Sequence, residues 1–300
     1  MAKRLLKKAL VTSPTIQSAG DDLDGGDVVW AVDSPWVQRL LTLHRQVRLT
    51  VSNAGRADTG NRNAKGDEVK LFDLAADDAA LAVLRKFEVP LVVDSEERGY
   101  REIGSGAQYR LVLDPVDGSD NWARGLPLSA LSCAVLPIEA PLQPDWVEAA
   151  LVGSFEQGAP LIAIKGSGAW RDTERLQTSG VHHITGAMIS VELSHHSPSP
   201  GLARLMATAR GVRCYGCASH AISLVAEGAS DAHVDERGRL TAESYLAAVR
   251  LLIEAGGCVV GLDGKPVAAP ESLTDRVRLI AASNRELCDE IVKVLTNDQY

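Results

Sequence analysis

The chain lacks an apolar run long enough to cross a bilayer, it has no surplus of positive charge, and its cysteines are too few for a covalent framework. Each absence removes a class of function. A membrane-spanning helix needs about 20 consecutive, mostly apolar residues, and none is found. The basic start Met1-Ala-Lys-Arg-Leu-Leu-Lys-Lys8 is followed only by Ala9-Leu-Val11 before Ser, Thr and Pro intervene, too short a core for a signal peptide. The 39 acidic residues outnumber 31 basic ones, giving a net charge of −8. That argues against a nucleic-acid surface and leaves any anionic substrate to local cations. Five cysteines, an odd number spread over 300 residues, fit a reducing cytoplasm rather than a disulfide scaffold. Cys214-Tyr-Gly-Cys217 has CxxC spacing but no second pair, so it reads as core thiols. No internal repeat or long low-complexity tract is present.

What is present is concentrated in Asp114-Pro-Val-Asp-Gly-Ser-Asp-Asn121. The preceding Arg110-Leu-Val-Leu113 reads as a buried strand and Gly118-Ser119 as a turn opening a short helix, which places both acids where a strand ends. Two aspartates and the Val116 carbonyl can bind hard divalent cations through oxygen, and a helix start at Ser119 offers N–H groups to a phosphate. Asp-Pro and Asp-Gly are also ordinary turn formers, so the segment by itself is compatible with a plain loop. A second strand, Pro90-Leu-Val-Val-Asp94, runs into Ser95-Glu96-Glu97-Arg98-Gly99. If the two strands are neighbours in one sheet, Glu96, Asp114 and Asp117 can converge on one metal cluster able to hold a phosphate ester.

These two pieces, with Glu254-Ala-Gly-Gly257 late in the chain, resemble the inositol monophosphatase-like superfamily of Mg²⁺-dependent, lithium-sensitive sugar and inositol phosphatases, which includes fructose bisphosphatases. Lys70-Leu-Phe-Asp-Leu-Ala-Ala-Asp77, Gly166-x-Gly-Ala169, Gly216-Cys-Ala-Ser219 and Asp231-Ala-His-Val-Asp235 add to the likeness, which covers about residues 65 to 295. Compact loops such as Asp235-Glu-Arg-Gly-Arg-Leu240 are similar to archaeal-type members. The resemblance implies an α/β fold of layered αβαβα type, a homodimer, and Mg²⁺-dependent hydrolysis of a small phosphate monoester. By position, it implies Glu96, Asp114, Asp117 and the Val116 carbonyl as metal ligands, and Ser119 with Asp77 as the pair that orients the attacking water. The N–H groups of Gly118 and Ser119 would take phosphate oxygens, and Asp235 would contact substrate hydroxyls.

One position departs from the family pattern. Where the resemblance places a second-metal aspartate, the chain has Ser244, preceded by Glu243. A neutral hydroxyl is a poorer Mg²⁺ ligand than a carboxylate. Three readings stay open: a phosphatase completed by Glu243, a water or the substrate; a phosphosugar binder with weakened turnover; or different chemistry on a phosphorylated ligand. Ser244 also suits a helix N-cap under any of them.

Residues 1–27 read as a loose Gly- and Asp-rich arm, 28–185 as an α+β metal-binding domain and 186–300 as an α/β substrate-side domain, joined near 180–187. Ser34-Pro35 starts a helix reaching about Ala54, and a second runs from about Leu71 to Phe87. Strands are expected near 91–94, 110–114, 130–137, 147–154 and 160–164 in a mostly antiparallel sheet. After them come strand 188–193, helix 201–209, strand 212–215, helix 218–227, strand 231–235, helix 243–256, strands 258–261 and 277–282, and helix 284–296. His182-His183 and His195-His196 lack metal-ligand spacing and read as loop histidines. Arg124 is placed either to reach a second anionic group of the substrate or to cap its helix, while Lys65 and Lys70 read as solvated lysines near the mouth.

Overall fold

The computed structural model describes residues 34–55, 58–62 and 68–297. In chain order it contains α1 (Pro35–Asn53), β1 (Asp58–Arg62), β2 (Glu68–Lys70), α2 (Leu71–Leu84), β3 (Leu91–Ser95), β4 (Gly99–Ile103), β5 (Tyr109–Asp117) and α3 (Ser119–Arg124). Then follow β6 (Ala130–Pro137), β7 (Ala149–Ser154), β8 (Leu161–Ile164), β9 (Gly168–Arg171), β10 (Glu174–Arg175) and β11 (Met188–Val191). The remainder is α4 (Pro200–Thr208), β12 (Gly211–Arg213), α5 (Ala218–Ala226), β13 (Ala232–Leu240), α6 (Ala242–Glu254), β14 (Cys258–Val260), β15 (Val277–Ala282) and α7 (Arg285–Thr296).

Helix α1 starts where expected because Ser34 accepts a hydrogen bond from the Trp36 N–H and Pro35 occupies the first turn, where a missing N–H costs nothing. Its buried Trp36, Leu40, Leu43, Val47 and Val51 recur at helical spacing and pack with Phe72, Ala76 and Ala80 of α2. The pair covers one face of an eight-stranded sheet of order β10-β9-β8-β7-β6-β5-β3-β4, antiparallel except where β3 runs parallel to β5. Helices α5 and α6 cover its other face and separate it from a five-stranded sheet of order β12-β11-β13-β15-β14. Helices α4 and α7 close the far side. The result is the expected layered α/β fold, α1/α2, sheet, α5/α6, sheet, α4/α7. Because α6 lies between two sheets, every residue from Ala242 to Leu252 is buried, including Glu243, Ser244 and Arg250.

Three boundaries differ from expectation in ways that matter for function. Strand β5 does not stop at Leu113 but runs to Asp117. Asp114 faces Ser132 and Asp117 faces Ala130, so three residues span two on β6, a bulge at the point where Pro115 has no N–H to give. Strand β13 likewise runs on from Asp235 to Leu240, with an irregularity against β15. Helix α6 begins at Ala242 with Thr241 at the N-cap position, so Ser244 sits inside its first turn and is not the cap. The short β4, β9 and β10 carry too little apolar alternation to be read from sequence. Among the described residues no helix is long and apolar enough to cross a membrane.

Candidate active site

Parallel pairing of β3 with β5 does what the sequence required of it. The Glu96 N–H donates to the Leu113 carbonyl at 3.0 Å, which seats Glu96 beside Asp114 at the same end of the sheet. Asp114 is buried, and its Oδ1 accepts the Val116 N–H at 3.1 Å across Pro115. From the opposite side α6 presents Ser244, whose Oγ lies 3.4 Å from Asp114 Oδ2. Ser132 of β6 fixes the start of that helix by donating to the Glu243 carbonyl at 2.8 Å.

Asp117 is anchored by the second half of the chain. Its Oδ2 accepts the Ser219 N–H at 2.7 Å and the Cys217 thiol at 3.3 Å, so the carboxylate sits at the N-terminus of α5, where free N–H groups favour an anion. Burial is nonetheless the largest influence and raises its pKa. The two hydrogen bonds oppose that rise and the nearby Glu96 charge adds to it. Cys217 thus touches a candidate site carboxylate, and its own pKa is raised by burial and by Asp117. Asn121 holds the arrangement shut, its Nδ2 donating to the Tyr215 carbonyl at 2.7 Å and to Leu128 at 2.9 Å. Between the acids and α3, Gly118 takes φ +79°, and a Cβ there would meet the Leu128 carbonyl oxygen at 2.7 Å and Cys217 Cβ at 2.9 Å. Only glycine fits that turn. It leaves Ser119 half-buried at the first position of α3.

The acid expected to work with Ser119 is otherwise engaged. Asp77 is fully buried; its Oδ1 accepts a hydrogen bond from Ser95 and its Oδ2 pairs with Arg98 Nε at 3.2 Å, and it makes no hydrogen bond to Ser119. Asp73 lies one helical turn earlier on the same buried face. Its Oδ2 accepts the Lys70 N–H at 2.9 Å, while Oδ1 is buried with no hydrogen-bond partner among the described residues. Burial pushes its pKa up to about 7, with the Glu96 and Asp120 charges contributing to the rise. Lys70 is buried, not solvated, and bonds Asp120 at 2.7 Å. Lys65 lies outside the described residues.

Asp235, too, is engaged within the protein. Its side chain is fully buried and Arg237 grips it with two donors, Nη2 to Oδ2 at 2.7 Å and Nε to Oδ1 at 3.1 Å. A cavity of about 140 Å³ opens beside it, lined by Asp117, Glu192, Cys217, Arg237, Arg239 and Ser244 among others. Asp235 is not part of that lining. Sequence reasoning missed Glu192, Arg237 and Arg239. The signal for the two arginines was the Arg-Gly-Arg that follows Asp235-Glu236, which looked like a loop. Arg124 is exposed at the end of α3 and does not line the cavity. His182, His183 and His196 each pair with a glutamate (Glu286, Glu290 and Glu236) and form no metal centre among the described residues.

The match to the inositol monophosphatase family extends over residues 16–300. The chain belongs to the inositol monophosphatase family. It is 29% identical, over 87% of its length and 96% of the relative's, to a fructose-1,6-bisphosphatase/inositol-1-monophosphatase of Methanothermobacter thermautotrophicus. It is 30% identical to a fructose-1,6-bisphosphatase of Pyrococcus furiosus, over 77% of this chain and 84% of that one. Its fold superimposes with a TM-score of 0.73 on the crystal structure of an inositol monophosphatase–fructose 1,6-bisphosphatase, covering 87% of this chain and 99% of the other at 24% identity. Membership makes the protein a phosphoric monoester hydrolase of a metal-dependent family.

As to a metal, the donors at the strand ends are all oxygen, the set that suits a hard divalent cation. Asp117 and Asp73 both have raised pKa values to which the Glu96 charge contributes, as expected of carboxylates gathered for a cation. Among the described residues no three carboxylates, histidines or cysteines stand close enough to form a ready-made cage. At Ser244, where the resemblance places an aspartate, the chain offers a hydroxyl in place of a carboxylate.

Proposed function

We propose that the protein hydrolyses a small phosphate monoester with Mg²⁺, held by Glu96, Asp114, Asp117 and the Val116 carbonyl. The cation, when bound, supplies Lewis-acid stabilisation of charge on the phosphoryl oxygens. Gly118 and Ser119 donate backbone N–H groups to the phosphate, for which the left-handed turn at Gly118 leaves room. Asp73, in place of Asp77, aligns the attacking water together with the Ser119 hydroxyl and accepts its proton. The observation that carries this reading is the buried Asp73 Oδ1, without a hydrogen-bond partner among the described residues and beside the Glu96 charge. No nucleophilic side chain is needed for attack by water in line with the leaving oxygen. We place the reaction in the cytoplasm, consistent with five free cysteines, and in a homodimer, as the resemblance implies. Metal binding falls to 28–185 and most substrate contacts to 186–300.

The second reading, a phosphosugar binder with little turnover, is favoured by Ser244 alone. Both are tested with a panel of sugar, cyclitol and nucleotide monophosphates. Phosphate release is expected to require Mg²⁺, to vanish in Asp114→Asn, and to fall about 10²- to 10⁴-fold in kcat in Asp73→Asn. Calorimetric binding without any phosphate release would establish the binder instead.

A further inference from the structure

We infer that Lys70 is a phosphate ligand: its ammonium holds the phosphoryl oxygens of the substrate, and inorganic phosphate after hydrolysis, in the place now taken by the Asp120 carboxylate. The inference rests on the phosphatase reading and adds to it a cation that the chain itself supplies. By local rules a lysine is out of place here. Lys70 is the N-cap residue of α2, where serine, threonine, asparagine and aspartate are preferred because their side-chain oxygen accepts a free N–H. Asp73 provides one half of a capping box, accepting the Lys70 N–H at 2.9 Å, but an ammonium has no acceptor with which to return the bond. A positive charge at a helix N-terminus also opposes the helix dipole. A residue that breaks the local preference with no local gain points to a task elsewhere.

The side chain shows where. Lysine is almost never buried unless paired, and Lys70 is buried with its ammonium donating to Asp120 Oδ1 at 2.7 Å. Asp120 follows Ser119 in the first turn of α3, next to the Gly118 and Ser119 N–H groups. The two partners are unequal, the Lys70 side chain being 9% exposed and that of Asp120 87%. A carboxylate so open to water gains little from the pair and can return to solvent at little cost. Arg98 is the contrast: it is held by the fully buried Asp77 as well as by Asp78, and an incoming anion cannot displace a buried carboxylate so readily. The ammonium also stands among acids. Burial is the main cause of the raised Asp73 pKa, the Lys70 charge opposes it, and the Glu96 and Asp120 charges add to it. A phosphate dianion is repelled by these carboxylates and needs a cation on the α2 side of its cradle. Lys70, exchanging a solvated carboxylate for the phosphate, supplies it.

Inorganic phosphate is the probe, because it is the product whatever alcohol the ester carries. It is titrated calorimetrically, at saturating Mg²⁺, into the wild type, Lys70→Met, Lys70→Arg and Asp120→Asn. Lys70→Met should weaken phosphate binding by about ten- to hundredfold, the worth of a hydrogen bond to a charged group, and Lys70→Arg should recover part of the loss. Asp120→Asn separates a ligand from a structural strut. If Asp120 only occupies the place of the phosphate, its neutral variant should bind phosphate several-fold more tightly than the wild type. Asp120 is exposed, so this variant keeps the fold even if Lys70→Met does not. Phosphate binding that is unchanged in Lys70→Met, or unchanged or weakened in Asp120→Asn, overturns the inference, and so does a wild type that binds no phosphate. Failure of the phosphatase reading looks different: phosphate still binds through Lys70 while no ester is hydrolysed.

Discussion

Replacing Ser244 by aspartate tests whether the cleft is a cation site short of one ligand. Ser244 Oγ is 3.4 Å from Asp114 Oδ2 on a side chain that is 9% exposed. A carboxylate at that separation, with an effective dielectric constant of about 20, meets a repulsion of about 5 kcal/mol. Protonation sets a ceiling on the cost, because holding a carboxyl of ordinary pKa about 3.9 neutral at pH 7 takes about 4 kcal/mol. With some relaxation, Ser244→Asp should destabilise the protein by about 2–4 kcal/mol at pH 7 in chelator. The raised pKa belongs to the folded state, so this penalty should shrink as pH falls toward the unfolded value near 4. A divalent cation between the two carboxylates reverses the sign of their interaction, so saturating Mg²⁺ should recover most of the loss and bind the variant more tightly than the wild type. Urea unfolding in EDTA and in excess Mg²⁺ reads both numbers. A destabilisation of the same size in the two buffers would mean that no cation can sit between positions 114 and 244, and the metal assignment of Asp114 would fall with it.

Gly118→Ala should cost about 2–4 kcal/mol in urea unfolding, since alanine resists φ +79° and its methyl meets the Leu128 carbonyl and Cys217; a loss under about 0.5 kcal/mol would show that the turn can relax. His44 supplies a pH dependence away from the cleft. Burial lowers its pKa from 6.5 to about 4, and its ring stacks on Phe155 with Nε2 3.1 Å from the Ser154 carbonyl. The unfolded chain binds this proton first, so stability is full above pH 6.5 and declines as pH falls toward 4, by about 3 kcal/mol at about 1.4 kcal/mol per pH unit. His44→Gln should remove that share of the acid sensitivity, and parallel unfolding curves for the two proteins between pH 7 and 4 would contradict it.

How far the site could be read in advance depended on how local its causes are. Strands β3 and β5 were legible because Leu91-Val-Val93 and Leu111-Val-Leu113 are continuous apolar runs buried on both sides, and the carboxylates follow them within a few residues. The cap at Ser34 and the glycine turn at Gly118 are likewise decided by neighbouring atoms. Asp73 and Asp77 are a different case. They stand four apart on α2, so helical periodicity puts both on its buried face and cannot rank them. What separates them lies at and just beyond the end of β3, where Ser95 and Arg98 engage Asp77, whereas Asp73 keeps Oδ1 without a hydrogen-bond partner among the described residues.

Asp235 shows the same limit across two sheets. As an acid near the end of an apolar strand it had the look of Asp114, and Glu-Arg-Gly after it had the look of a turn. The pairing of β13 with β15 carries the strand on to Leu240 instead, bringing Arg237 back over Asp235 and setting Arg239 at the cleft. An acid followed two residues later by arginine on a strand can neutralise itself, because residues i and i+2 share a face. Whether such a carboxylate serves a substrate or an arginine is thus settled by strand length, a tertiary outcome. In this chain the outcome neutralises Asp235 with Arg237, while position 244, where the resemblance places an aspartate, carries a serine.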